Sequence, residues 1–167
     1  MPKIHLIDTY ALMAIPDLCD REESIGRVMA SLTGEVRAGR LSFPDAVAAE
    51  CRAYLGDGIC TVWVEAVMGS RRTGAVPHSM ATRALSLCPG LVDADQPGVQ
   101  AQPEVGALVC HLRDQGIEVV IVTNDTVAMT ERVPLVNAAP LLGALQIDVQ
   151  TYLVDLGFGA ALGLLTV

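Results

Sequence analysis

Glu118-Val119-Val120-Ile121-Val122-Thr123-Asn124-Asp125 is an apolar, strand-like run that stops at three polar residues, the last of them a carboxylate. Val and Ile suit a pleated strand, and an unbroken apolar run suits a parallel strand covered on both faces. The N-terminus repeats the plan, since Ile4-His5-Leu6-Ile7-Asp8-Thr9 is a short apolar run closed by an Asp beside a hydroxyl. In open α/β sheets, ligands gather beyond the carboxyl ends of the strands, so two strands that each end in Asp aim both acids at one place. Two convergent carboxylates point to a divalent cation.

Working outward, residues 4–8 and 117–123 are predicted as strands, and Leu41-Ser42-Phe43 as a short one. Residues 10–15 look helical until Pro16 stops or kinks them. Apolar Ile25, Val28, Met29, Leu32 and Val36 mark an amphipathic helix from Glu22 to Val36 that ends at Gly39. A helix over 44–55 follows, with Pro44 in its first turn and Ser42 as its cap. Its face carries Ala46, Val47, Glu50, Cys51 and Tyr54 at i, i+3 and i+4 spacing, which sets Glu50 among apolar neighbours. Further helices are expected at 61–68, 79–87, from Pro103 through Leu112, 126–131, 138–145 and 149–156, with a short strand at 133–136 and a loop between Leu91 and Pro103. The tail from Gly157 has no clear pattern. Helix, glycine, apolar strand and polar tip make a βαβ half-unit around Gly116.

With 167 residues, the chain has room for one domain, 1–167, with a substantial core. Mean hydropathy is high, at +0.44, yet no run of about eighteen or more apolar residues is present, which argues against a membrane protein. Net charge is −8, with one lysine, Lys3, and ten arginines spread along the chain, so no basic stripe for nucleic acid exists. An acidic enzyme can still meet phosphate through a recruited metal. Five cysteines without a C-x-x-C pair, and an N-terminus interrupted by Asp8, lead us to expect reduced thiols and a cytoplasmic location. His5, His78 and His111 lack zinc-ligand spacing, and Arg71, Arg72 and Arg83 read as solvated charge before RNA contacts. No Gly-rich phosphate loop is present.

Asp8 after a strand, Glu50 on a helix and Asp125 after a strand, quoted in Leu6-Ile7-Asp8-Thr9, Pro44-Asp45-Ala46-Val47-Ala48-Ala49-Glu50 and Val122-Thr123-Asn124-Asp125, resemble the PIN-domain nucleases, including VapC-type toxins. Gly39 to Pro44 leading into the Glu helix, and Arg132-Val133-Pro134 leading into a later helix, resemble an uncharacterised PIN-like branch. The resemblance covers nearly the whole chain. It implies a three-layer α/β/α fold with a central parallel sheet, and a Mg²⁺- or Mn²⁺-dependent endoribonuclease that hydrolyses RNA phosphodiester bonds. It further implies that Asp8, Glu50 and Asp125 hold the metal, with Thr9, Thr123 and Asn124 in support, and that the protein is the toxin of a toxin–antitoxin pair with an antitoxin partner. Apolar surface makes a homodimer a further expectation.

One position departs from the family. Where an Asp usually precedes the helix before the last strand, this chain has Gln102, whose amide oxygen can coordinate a cation but adds no charge. Asp93, Asp95 or Glu104 are candidates to replace it as metal ligands. The alternative readings are a catalytically impaired PIN-like module acting through a protein partner, and a haloacid-dehalogenase-like phosphatase with Asp8 as nucleophile. The second expects another acid where Tyr10 stands and a lysine after the Thr123 motif, where none occurs. Asp8 and Asp125 could also simply cap helices.

Overall fold

The computed structural model describes residues 2–129 and 131–162. Strands β1 (Lys3–Ile7), β2 (Leu41–Ser42), β3 (Glu118–Val122) and β4 (Leu145–Ile147) form one parallel sheet in the order β2-β1-β3-β4. The helices are α1 (Thr9–Leu18), α2 (Glu22–Arg37), α3 (Asp45–Leu55), α4 (Ile59–Val67), α5 (His78–Leu87), α6 (Gln102–Asp114), α7 (Leu135–Leu142) and α8 (Val149–Asp155). They pack in two groups, α1 with α2, α3 and α8, and α5 with α6 and α7, an arrangement compatible with helical layers on both sides of the sheet. One cluster of buried apolar side chains runs through both groups and the sheet, from Ile4 to Leu162. Among the described residues no helix is long and apolar enough to cross a membrane.

The order of the strands positions the site. Ile7 pairs with Val122, so Asp8 and Thr123 emerge side by side at the carboxyl ends of β1 and β3. From β1 the chain turns toward β2, and from β3 it turns the opposite way toward β4. The crevice between β1 and β3 is therefore the topological switch point, where open α/β sheets place their ligands.

Several local expectations change for physical reasons. Pro16 does not end α1, which continues to Leu18. A proline cannot donate to the carbonyl four residues back, and the buried Cys60 thiol donates to that carbonyl, Leu12 O, at 3.1 Å instead. Ser42 does not cap α3: its hydroxyl pairs with that of Thr73 at 2.7 Å, while Glu104 Oε2 accepts from Ala46 N–H at 3.1 Å.

The expected helix over 126–131 is absent among its described residues, and Thr130 lies outside them. This segment turns back on itself, with Met129 and Arg132 exchanging backbone hydrogen bonds of 3.3 and 3.2 Å, and thereby returns Arg132 to Asp125. Residues 133–136 are not a strand. Pro134 is the N-cap of α7, and Val136 belongs to that helix. A strand, β4, stands where the helix predicted over 138–145 was to end. At three residues it is too short for alternation to show in the sequence. The expected tail from Gly157 forms a short 3₁₀ turn at Gly159–Ala161; residues 163–167 lie outside the described part.

Candidate active site

Asp8 is the N-cap of α1. Its Oδ1 accepts from Ala11 N–H at 2.8 Å, and its Oδ2 accepts from the Thr123 hydroxyl. Thr123 in turn accepts from Asp125 N–H at 3.0 Å, so one hydroxyl joins the tips of the two central strands. Asp8 is 2% exposed. Burial pushes its carboxyl up to about 7, the Thr123 and Ala11 hydrogen bonds oppose this, and the charges of Asp125 and Glu50 reinforce it. The capping role holds for this residue, and Asp125 and Glu50 are near enough to act on it through their charges.

Asp125 is equally buried, but it is heavily engaged. Arg132 reaches Oδ1 at 2.9 Å and Oδ2 at 2.6 Å, Leu135 N–H reaches Oδ2 at 2.9 Å, and Gln102 Nε2 also donates to Oδ2. Four donors thus meet this carboxylate, three at Oδ2 and one at Oδ1. Asp125 therefore caps α7 from ten residues away and neutralises Arg132. Burial works against the Arg132 charge, but the hydrogen bonds and charge of Asp125 outweigh it and raise the guanidinium pKa further. Sequence reasoning attached no function to Arg132. Its signal was a lone cation beside Val133, Pro134 and Leu135, just after a strand-end acid.

Glu50 is half-buried, and its Oε2 accepts from Ala101 N–H at 2.8 Å, one residue before α6. Its other oxygen has no hydrogen bond among the described residues, and Glu50 lines a cavity of about 270 Å³ with Thr9, Tyr10, Tyr54, Gln102 and Arg132 among others. Thr9 is 2% exposed, and its buried hydroxyl lies beside the Cys51 thiol, whose pKa burial pushes up to about 12 while the Thr9 hydrogen bond opposes the rise. Gln102, at the first position of α6, gives its amide nitrogen to Asp125, which leaves its oxygen as the free end.

Other expected groups lie elsewhere or are otherwise occupied. Asn124 Oδ1 accepts from Val149 N–H at 3.0 Å and so tends α8. Glu104 serves the start of α3, and Asp93 Oδ1 accepts from Asp95 N–H at 3.1 Å within the 93–100 loop, with Asp95 itself exposed. Arg71 holds Asp45 and the Phe43 carbonyl, and Arg83 pairs with Asp114. Lys3 opens β1, at the opposite end from Asp8 and about 16 Å away along the strand.

Among the described residues, no three His, Cys, Asp or Glu side chains form a ready-made metal cage. Mg²⁺ and Mn²⁺ often keep several waters and take only one or two carboxylates directly. Asp8 and Glu50, with the Gln102 amide oxygen, have the donor chemistry for that sparse mode. Direct ligation by Asp125 would require Arg132 to leave. Compared with known families and curated proteins, the chain matches no family model and no curated sequence.

Proposed function

We propose that this chain is a PIN-like, metal-dependent ribonuclease whose cation is carried mainly by Asp8 and Glu50. The observation that carries the reading is the electrostatic imbalance at the switch point. Asp8 is buried without a counter-charge, its carboxyl is driven to about 7, and Glu50 and Asp125 add to the negative potential. Among the described residues the one buried cation, Arg132, is committed to Asp125. A hard cation at Asp8 would relieve this imbalance.

Such a cation supplies Lewis acidity toward a phosphoryl oxygen and lowers the pKa of a bound water. The protein's own residues do the positioning. Thr123 fixes Asp8 Oδ2 against Asp125 N–H, Ala101 N–H fixes Glu50, and Asp125 fixes both Gln102 and Arg132. An antitoxin partner and a homodimer belong to the same proposal; exposed Val127, Met129 and Leu141 offer apolar surface for either.

The test is Mn²⁺ titration by calorimetry, together with cleavage of a labelled RNA. Wild type should bind Mn²⁺ and cut, and Asp8→Asn and Glu50→Gln should lose both. Absence of Mn²⁺ binding in the wild type sinks the proposal. It would favour the impaired module that acts through a protein partner, a reading supported by the four donors that meet Asp125.

A further inference from the structure

Aromatic residues are scarce in this chain, with three Tyr, two Phe and one Trp. Phe43, Trp63 and Tyr152 are buried in the core, and Phe158 is partly covered against it. The two exposed ones, Tyr10 at 41% and Tyr54 at 50%, line the same 270 Å³ cavity, the one that Glu50 and Thr9 also line. We infer that this cavity is a subsite for one unpaired nucleobase of single-stranded RNA, with Tyr10 and Tyr54 as its stacking surfaces.

Tyr54 is tethered before any ligand arrives. The Tyr54 hydroxyl donates to Val99 O at 3.2 Å and accepts from Gln96 Nε2 at 3.3 Å. The 93–100 loop behind it is fastened by Gln100, which accepts from Asp93 N–H at 2.8 Å and donates to Asp93 O at 2.7 Å. Tyr10 lies with the Arg132 guanidinium 5.6 Å from its ring centroid. Glu50, which also lines the cavity, is a hydrogen-bonding partner for a base edge. Flat rings with a polar group beside them are what a nucleobase requires.

Charge supports stacking as the source of affinity. A protein of net charge −8, with Arg132 beside the cavity already paired to Asp125, cannot hold RNA chiefly through phosphates. Stacking on Tyr demands an unpaired base, and contacts that neutralise few phosphates release few counterions, so they respond weakly to salt. The inference rests on the nuclease reading for placing RNA at this crevice, and its test reads binding without hydrolysis.

Fluorescence anisotropy with labelled octaribonucleotides, each of a single base type, is measured on the full chain in EDTA. Tyr10→Ala and Tyr54→Ala should each weaken binding roughly tenfold. Tyr54→Phe, which keeps the ring and loses both hydroxyl bonds, should bind nearly as the wild type. A duplex of the same length should bind poorly, and affinity should change less than about tenfold between ~50 and ~200 mM salt, where a surface gripping six or more phosphates loses ~10³ or more. Alanine variants that bind like the wild type, a duplex bound as well as a single strand, or no RNA binding at all overturn the inference. A mononucleotide bound as tightly as the octamer assigns the cavity to free nucleotides and overturns the RNA subsite. Base-dependent binding without any cleavage in Mn²⁺ removes the nuclease reading and keeps the subsite; alanine variants that cleave at the wild-type kcat/KM do the reverse.

Discussion

Arg132 grips Asp125 through two contacts, Nη1 to Oδ1 at 2.9 Å and Nη2 to Oδ2 at 2.6 Å, with both side chains buried. Removing one partner of a buried pair strands the other charge, so Arg132→Gln should cost about 3–5 kcal/mol in urea denaturation. The variant also frees a third carboxylate beside Asp8 and Glu50. Mn²⁺ should therefore raise the melting temperature of Arg132→Gln more than that of the wild type. Equal rises would mean that Asp125 does not face the cation.

The Asp8 carboxyl, at about 7 in the folded chain against an ordinary 3.8, makes stability depend on pH. A raised carboxyl pKa favours the protonated folded state, so its contribution is full below about 3.8 and disappears as pH rises through about 7. The wild type should lose stability across that window, by roughly 4 kcal/mol at most. Asp8→Asn keeps the cap on Ala11 without the charge. It should melt higher than the wild type above neutrality, with the gap closing in acid. A pH-independent gap would show that Asp8 titrates normally.

Pro16 and Cys60 form a compensating pair across α1 and α4, because the thiol satisfies the carbonyl that the proline leaves open. Cys60→Ala should cost about 1 kcal/mol in the wild type. In a Pro16→Ala background the restored backbone N–H serves Leu12 O, and the same substitution should cost measurably less. A double-mutant cycle with zero coupling would refute the compensation.

Gly90 sets the position of the loop that carries Arg132. A Cβ at this residue would stand 2.5 Å from Val133 Cγ2 and 3.1 Å from Val133 N, whose N–H donates to Gly90 O at 2.9 Å. Gly90→Ala should push the segment outward at about 1–3 kcal/mol. Amide exchange should quicken around Arg132 more than in β1. Unchanged exchange there would show that the loop is held by other contacts.

The parallel sheet, most of the helices and the carboxyl-end location of Asp8 and Asp125 were legible because long apolar runs and 3.6-residue spacing act locally. What was illegible depended on partners distant in the chain. Nothing near Asp125 reveals that Gln102, 23 residues earlier, would donate to it. Val133 and Val136 looked strand-like by side-chain type, yet Pro134 and the distant carboxylate start a helix there. Asn124 sits in the right motif but serves α8, since a strand-end side chain can turn to either of two neighbouring elements. Tyr10 and Tyr54 are 44 positions apart and meet only because α1 and α3 pack together.

The outer members of the sheet, β2 with two residues and β4 with three, are shorter than the five-residue central pair. A sheet edge of that length offers few unpaired amides and carbonyls on which another chain could grow a strand. For a polypeptide with so much Val, Ile and Leu, such stunted borders amount to protection against aggregation. Lengthening β4 by redesign would be expected to cost solubility before it costs the fold.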